Sequence, residues 1–224
     1  MATVARHCRG VALESYTMYL EQSLQDYLDE LASAQSTPGG GSAAALSGAM
    51  AAALASMVVR LTLGKAEYAS VQQEMEILLQ HTEKLRLRFQ QLMQEDIEAY
   101  GRLSACFKMP RETPEEREIR TKTIQERLAE AALVPLEVAE CAAELIYYCK
   151  RIAEIGNRNV LSDVATGAML AVGAGDGASW MVRTNVRAMK DHELVNTLNQ
   201  RLSKALDSIA TYKQLVTNIV GDRA

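Results

Sequence analysis

Two stretches of this chain carry residue types whose spacing permits chemistry. The first is Pro38-Gly39-Gly40-Gly41-Ser42. Three consecutive glycines free the backbone and expose its N–H groups; ahead of a helix, those groups meet the positive end of the helix dipole and suit a carboxylate or a phosphate. No strand precedes the run and no Gly-Lys-Ser/Thr follows it, so it is not a P-loop. The plain alternative is a turn where two helices pack closely, and the residues alone leave both open. The second feature is Asp96, which follows Leu92 and Met93 by four and three residues and precedes Tyr100 by four. That puts it on the apolar stripe of a helical pattern, while Glu95 and Glu98 point elsewhere. A carboxylate on such a face must be paired, protonated or functional. Desolvation would raise its pKa toward the range useful for proton transfer; the bland alternative is a structural hydrogen bond.

Other groups carry less. Asn157-Arg158-Asn159 and Ser162-Asp163 cluster at a helix start, where such residues commonly act as caps, although Asp163 could meet a ligand. Lys108 and Arg111 bracket Pro110 in a loop and could hold an anionic tail or simply be solvated. His7, His81 and His192 are far apart, with no H-E-x-x-H and no C-x-x-C, so no metal site is expected. No G-x-S-x-G marks a serine hydrolase, and the glycines of Gly173-Ala174-Gly175-Asp176-Gly177 follow no strand. Cys8, Cys106, Cys141 and Cys149 show no pairing pattern, so reduced thiols and a cytoplasmic setting are expected. No apolar run follows Arg6, His7 and Arg9, so no secretory signal is read.

The elements that must position these residues are helices. Hydrophobic residues make up 48% of the chain but aromatics only 5%, which describes a core of Ala, Leu, Val, Ile and Met. The formal net charge of −4 offers no broad basic surface to nucleic acid. Ser23 and Asp26 predict a capped start, with Leu24, Tyr27, Leu28 and Leu31 as the apolar face. Ser42 is expected to cap a second helix, Ala43 to about Leu63, closed by Gly64. A third runs from about Ser70 to Phe107. Thr113-Pro114-Glu115-Glu116 then starts a fourth that bends or restarts at Pro135 and ends at Ile155. A fifth extends from near Ser162 to Met189, with a break expected near the glycines at 173–177, and Asp191 caps the last.

The result is an all-α, antiparallel helical bundle with long helices, one domain over residues 23–224, preceded by an extension at 1–22. Leu31–Val59 contains no charge and is long enough to span a bilayer, but its Ala, Gly and Ser content favours a buried helix over a membrane span. Gly48, Ala52 and Ser56 share one face of that helix and allow another backbone to approach, within the bundle or across a dimer.

Taken in chain order, these pieces resemble the cyclodeaminase/cyclohydrolase family of tetrahydrofolate enzymes. The matching pieces begin with Leu31-Ala32-Ser33 before Pro38-Gly39-Gly40-Gly41-Ser42-Ala43-Ala44-Ala45, then Ala55-Ser56-Met57-Val58, Leu61-Thr62 and Gly64-Lys65. Asp96-x-x-Ala99-Tyr100, Lys108-Met109-Pro110 and Ala131-Ala132-Leu133-Val134-Pro135-Leu136 follow. Gly156-Asn157, Asn159, Ser162-Asp163, Asn185 and Lys190-Asp191 complete the series. Arg111 stands where many members have Lys, and the glycines at 173–177 interrupt a segment that is more often Ala- and Leu-rich.

The resemblance implies a homodimer that binds a reduced folate, polyglutamylated forms included, at or near the subunit interface, with no cofactor beyond that substrate. It implies that Asp96 is catalytic and that Gly39, Gly40, Gly41, Ser42, Tyr100, Lys108, Arg111, Asn157, Asn159, Ser162, Asp163 and Asn185 meet the substrate. The implied reaction is that of a methenyltetrahydrofolate cyclohydrolase or of a formiminotetrahydrofolate cyclodeaminase. From the residues alone, a non-enzymatic helical assembly module stays open.

Overall fold

The structure is a computed structural model that describes residues 19–223; the cysteine at position 8, His7 and most of the expected N-terminal extension lie outside them. Helix α1 (Leu24–Leu31) begins as expected. Ser23 Oγ accepts from the Asp26 N–H and the Asp26 carboxylate accepts from the Ser23 N–H, closing a capping box. Of its expected apolar face, however, only Tyr27 is buried, with Leu24 and Leu28 63% and 49% exposed. Tyr19, in a short 3-10 turn (Tyr19–Glu21), packs edge-on against Tyr27 with ring centroids 5.6 Å apart.

Helix α2 (Gly40–Arg60) starts three residues earlier than expected. Gly39 is the N-cap and no side chain caps the helix; Ser42 sits inside the first turn, and its Oγ donates to the Gly39 carbonyl at 2.9 Å. Gly64, with φ +74°, turns the chain into a 3-10 segment (Ala66–Val71) and α3 (Gln72–Phe107). A second capping box, Thr113 with Glu116, and Pro114 at the first position open α4 (Pro114–Ile155). This helix runs on through buried Pro135 rather than restarting there: α3 and α5 pack along it on either side and hold it.

Helix α5 (Leu161–Arg187) is likewise unbroken. Its glycines serve close approach rather than a break. A Cβ at Gly175 would lie 2.3 Å from Ile209 Cδ1, and one at Gly167 would lie 3.2 Å from the Ala51 carbonyl oxygen. Asp191 Oδ1 accepts from the Leu194 N–H at the start of α6 (His192–Arg223).

Side-chain pairs fix the directions. Gly48 meets Phe89 and Ser56 meets Thr82, so α2 and α3 are antiparallel; Arg88 meets Glu137 and Arg151 meets Glu74, so α3 and α4 are too. Asn185 on Ala131 and Gly175 on Ala142 set α5 against α4. Consecutive long helices therefore alternate up and down, as expected of the bundle, and among the described residues there is no strand.

The small-residue face of α2 points into this bundle. A Cβ at Gly48 would stand 2.4 Å from Phe89 Cε1, and Ser56 Oγ donates to Thr82 Oγ1 at 2.8 Å. By length and composition α2 could cross a bilayer, and most of it is buried among the other helices.

Candidate functional site

The N-terminal end of α2 abuts α3 at Asp96. Gly41 is what permits it: a Cβ there would lie 2.1 Å from Asp96 Oδ1, so any other residue would expel the carboxylate. Asp96 thus occupies the positive end of α2 itself, where the Ser42 backbone N–H favours its anion. Burial outweighs that donor and pushes the Asp96 pKa up to about 6, in the direction expected of a desolvated carboxylate.

Behind the turn, Ser42 is fully buried. Its single hydroxyl hydrogen goes to the Gly39 carbonyl, so the Tyr27 phenol, 3.1 Å away, donates to Ser42 Oγ. Tyr27 is itself 3% exposed, and its pKa is raised, first by burial and further by the charge of Asp96.

In front of Asp96 lies a cleft of about 240 Å³. Ser36, Thr37, Gly39, Gly40 and Gly41 form one wall, with the Thr37–Pro38 peptide cis. Asp96 and Tyr100 of α3, Ala131 of α4, and Met181, Thr184 and Asn185 of α5 complete it. Asn185 Nδ2 donates to the Ala131 carbonyl at 2.8 Å, fixing α5 against α4 at the cleft wall. A larger groove of about 430 Å³ lies between α4 and α6, where Arg201 and Glu140 neutralise each other; none of the candidate residues lines it.

Within one chain the structure therefore gathers Gly39, Gly40, Gly41, Ser42, Asp96, Tyr100 and Asn185 at one end of the bundle. It sets Asn157, Asn159, Ser162 and Asp163 at the opposite end of α2, about 30 Å away. There Asn157 ties the chain to the C-terminal end of α2. Its N–H donates to Thr62 Oγ1, its Nδ2 to the Leu61 carbonyl, and its Oδ1 accepts from the Asn159 N–H, each at 3.0 Å. Lys108 and Arg111 are exposed at the tip of the α3–α4 hairpin, about 18 Å along α3 from Asp96. Among the described residues no three His, Cys, Asp or Glu side chains come together as a metal site would need.

The formiminotransferase-cyclodeaminase family profile matches residues 23–204. The chain belongs to this family. It is 38% identical over 170 residues to a methenyltetrahydrofolate cyclohydrolase of Methylorubrum extorquens, covering 76% of this chain and 82% of that one. It is 32% identical over 197 residues to the formimidoyltransferase-cyclodeaminase of Rattus norvegicus, covering 88% of this chain but 36% of the rat protein. The crystal structure of a formiminotetrahydrofolate cyclodeaminase from Thermotoga maritima superposes with a TM-score of 0.82 at 28% identity, over 91% of this chain and 98% of that one.

Family membership does not by itself pick out every residue at the cleft. Ser36, Thr37, Ala131, Met181 and Thr184 line it and escaped the sequence reading. So did the partnership of Tyr27 with Ser42. The phenol carried one usable signal: a tyrosine on a buried helix face needs a partner for its hydroxyl.

Proposed function

We propose that this protein is a folate one-carbon enzyme that hydrolyses 5,10-methenyltetrahydrofolate to 10-formyltetrahydrofolate, a methenyltetrahydrofolate cyclohydrolase. The observation that carries the reading is a carboxylate of pKa about 6, held on a helix N-terminus and facing a cleft. Near neutral pH it is ionised and close to its titration point, which suits a group that accepts and returns a proton. Water adds to the methenyl carbon and passes one proton to Asp96. The carbon–N5 bond then breaks as the carbinol O–H is lost and N5 takes up a proton, so one proton is released overall. Before attack, the anion would also stabilise the cationic ring.

The 38% identical Methylorubrum relative supports the hydrolytic reaction. The name of the Thermotoga structure favours a second one on the same carbon, attack of N10 on a formimino group with loss of ammonia. Neither needs a cofactor beyond the folate. Asn185 and Tyr100 would flank the ring in the cleft, and a polyglutamate tail leaving along α3 would reach Lys108 and Arg111. Buried free thiols at Cys106, Cys141 and Cys149 accord with a cytoplasmic setting.

The same reading takes the protein as a homodimer. The outer face of α2 supports it: Met50, Met57 and Leu61 are 46%, 36% and 41% exposed, and Met169 of α5, at 41%, extends the strip. Arg60 is the one charged residue in the whole of α2, so two copies could pair there with little charge to desolvate. A two-fold axis across the middle of α2 would bring the partner subunit's Asn159, Ser162 and Asp163 to the cleft. At 240 Å³ the cleft is smaller than the roughly 300–1,000 Å³ of complete ligand sites, as expected of a site that a second copy finishes.

Turnover is followed as loss of the methenyl absorbance. Asp96→Asn should lower kcat about 100-fold or more while leaving the fold intact, and wild-type turnover by that variant would sink the catalytic assignment. Ammonia release from 5-formiminotetrahydrofolate separates the two reactions. Absence of folate binding in calorimetry would leave a helical assembly module. Co-expression of Asp96→Asn chains with Asp163→Ala chains should restore part of the activity if the site is shared between subunits.

A further inference from the structure

The structure assigns Tyr27 a role that its place on a short, mostly exposed helix would not suggest: we propose that it is the positioning residue that, through Ser42, holds the first turn of α2 against Asp96 and so sets where that carboxylate sits and when it titrates. The inference rests on Asp96 being the acid–base group of the site.

The chain of contacts is short and each link has its donor determined. The Tyr27 O–H donates to Ser42 Oγ at 3.1 Å, and Ser42 Oγ spends its own hydrogen on the Gly39 carbonyl at 2.9 Å. Ser42 is thereby fixed on its side-chain end, while its backbone N–H favours the anion of Asp96, which packs against Gly41 in the same first turn. Gly41, one residue earlier, leaves room for no displacement of α2 toward α3, since even a Cβ would overlap the carboxylate. Loss of the phenol hydroxyl frees Ser42 to turn, and the N–H that favours the Asp96 anion loosens with it.

Helix α1 is built for this delivery. Tyr27 is its only buried residue, and Tyr19 closes over the phenol ring from behind, with its own hydroxyl on Glu30. Among the described residues that line the cleft, none from another element presents a charge to Asp96. Helix α2 presents backbone only, α4 presents Ala131, and α5 presents Met181, Thr184 and Asn185. On α3 itself Tyr100 lines the cleft; Tyr27 is the titratable group that faces Asp96 from outside α3.

The test uses Tyr27→Phe, which keeps the ring, with Ser42→Ala as the second variant from the other side of the bond, and the double variant. The Asp96 carboxyl is titrated directly, by its carbonyl stretch in difference infrared spectra against Asp96→Asn, with no substrate present. In Tyr27→Phe the midpoint should rise by about half a pH unit, since the carboxylate loses part of a donor. The kcat should fall about tenfold with KM little changed, and the acid limb of its pH profile should move with the midpoint. Because both variants cut one chain of bonds, the double variant should resemble either single one.

A titration and a pH profile superimposable on wild type in both single variants would overturn the proposal and leave Tyr27 as packing. If wild type turns over no folate and the Asp96 midpoint still moves, the function assigned above fails and the positioning role stands. If wild type turns over and the midpoint stays fixed, the reverse holds.

Discussion

The two ends of helix α2 solve the same problem in opposite ways. Each brings a small residue of α2 against a polar residue of α3. At the C-terminal end Ser56 donates to Thr82, Thr82 donates to the Leu79 carbonyl, and Asn157 closes on Thr62 and Leu61. The hydroxyls of Ser56 and Thr82 and the amide of Asn157 thus find acceptors inside the protein, so this contact of α2 with α3 holds the fold. At the N-terminal end Asp96 has the favourable influence of one backbone N–H and lines the cleft. Internal pairing suits the Ser56–Thr82 contact to a structural part; incomplete pairing of a desolvated charge suits Asp96 to the reactive part proposed for it.

The sharpest way to break that contrast is Gly41→Ala. The new methyl would have to occupy the space of Asp96 Oδ1, 2.1 Å away, so the carboxylate must swing off the helix terminus. We expect kcat to fall by about 100-fold, close to the loss in Asp96→Asn, because the charge is present but misplaced. Activity near wild type would mean that the carboxylate does not need this seat.

A second test reads the same end through stability. Folding raises the Asp96 pKa from 3.8 to about 6, so the folded state holds its proton where the unfolded chain has lost it. Below pH 4 both states are protonated and no penalty exists. Between about 4 and 6 stability falls as pH rises, and above 6 the full penalty of a buried anion is present. Asp96→Asn should therefore be more stable than wild type at pH 8, by about 1–3 kcal/mol, with the difference vanishing toward pH 4. Urea titrations at the two pH values measure it; a variant less stable at pH 8 would mean that the ionised carboxylate is well solvated.

Much of the fold was legible because its signals are local. The boxes Ser23–Asp26 and Thr113–Glu116 mark two helix starts, and the spacing from Met75 to Phe89 marks the buried face of α3. The errors arose where tertiary contacts override local preference. A glycine disfavours a helix interior by only about 1 kcal/mol, which the close packing of Gly167 and Gly175 against α2 and α6 offsets. Ser42 is a good cap by type, yet with Asp96 filling the helix terminus, its hydroxyl turns inward to Gly39 and Tyr27.

In the site, Gly41 and Asp96 were each legible as candidates, but their contact joins residues 55 positions apart and only the packing of α2 on α3 reveals it. Nor does sequence order say that Asn157 and Asp163 leave the cleft within one chain. The antiparallel run of α2 and α5 puts them at its other end.

The gentlest test concerns the Ser56–Thr82 contact. Ser56→Ala removes the hydroxyl that donates to Thr82 at 2.8 Å and leaves Thr82 still bonded to the Leu79 carbonyl. No buried donor is orphaned, and the methyl fits where the larger side chain stood. The expected loss is therefore near the net value of one hydrogen bond, about 1 kcal/mol, rather than the larger penalty of an unpaired buried group. Because the change lies most of the length of α2 from Asp96, kcat and its pH profile should not move. A shift in either would show that the two ends are coupled through the helix, and the contrast between a structural end and a reactive one would have to be replaced by a single strained unit.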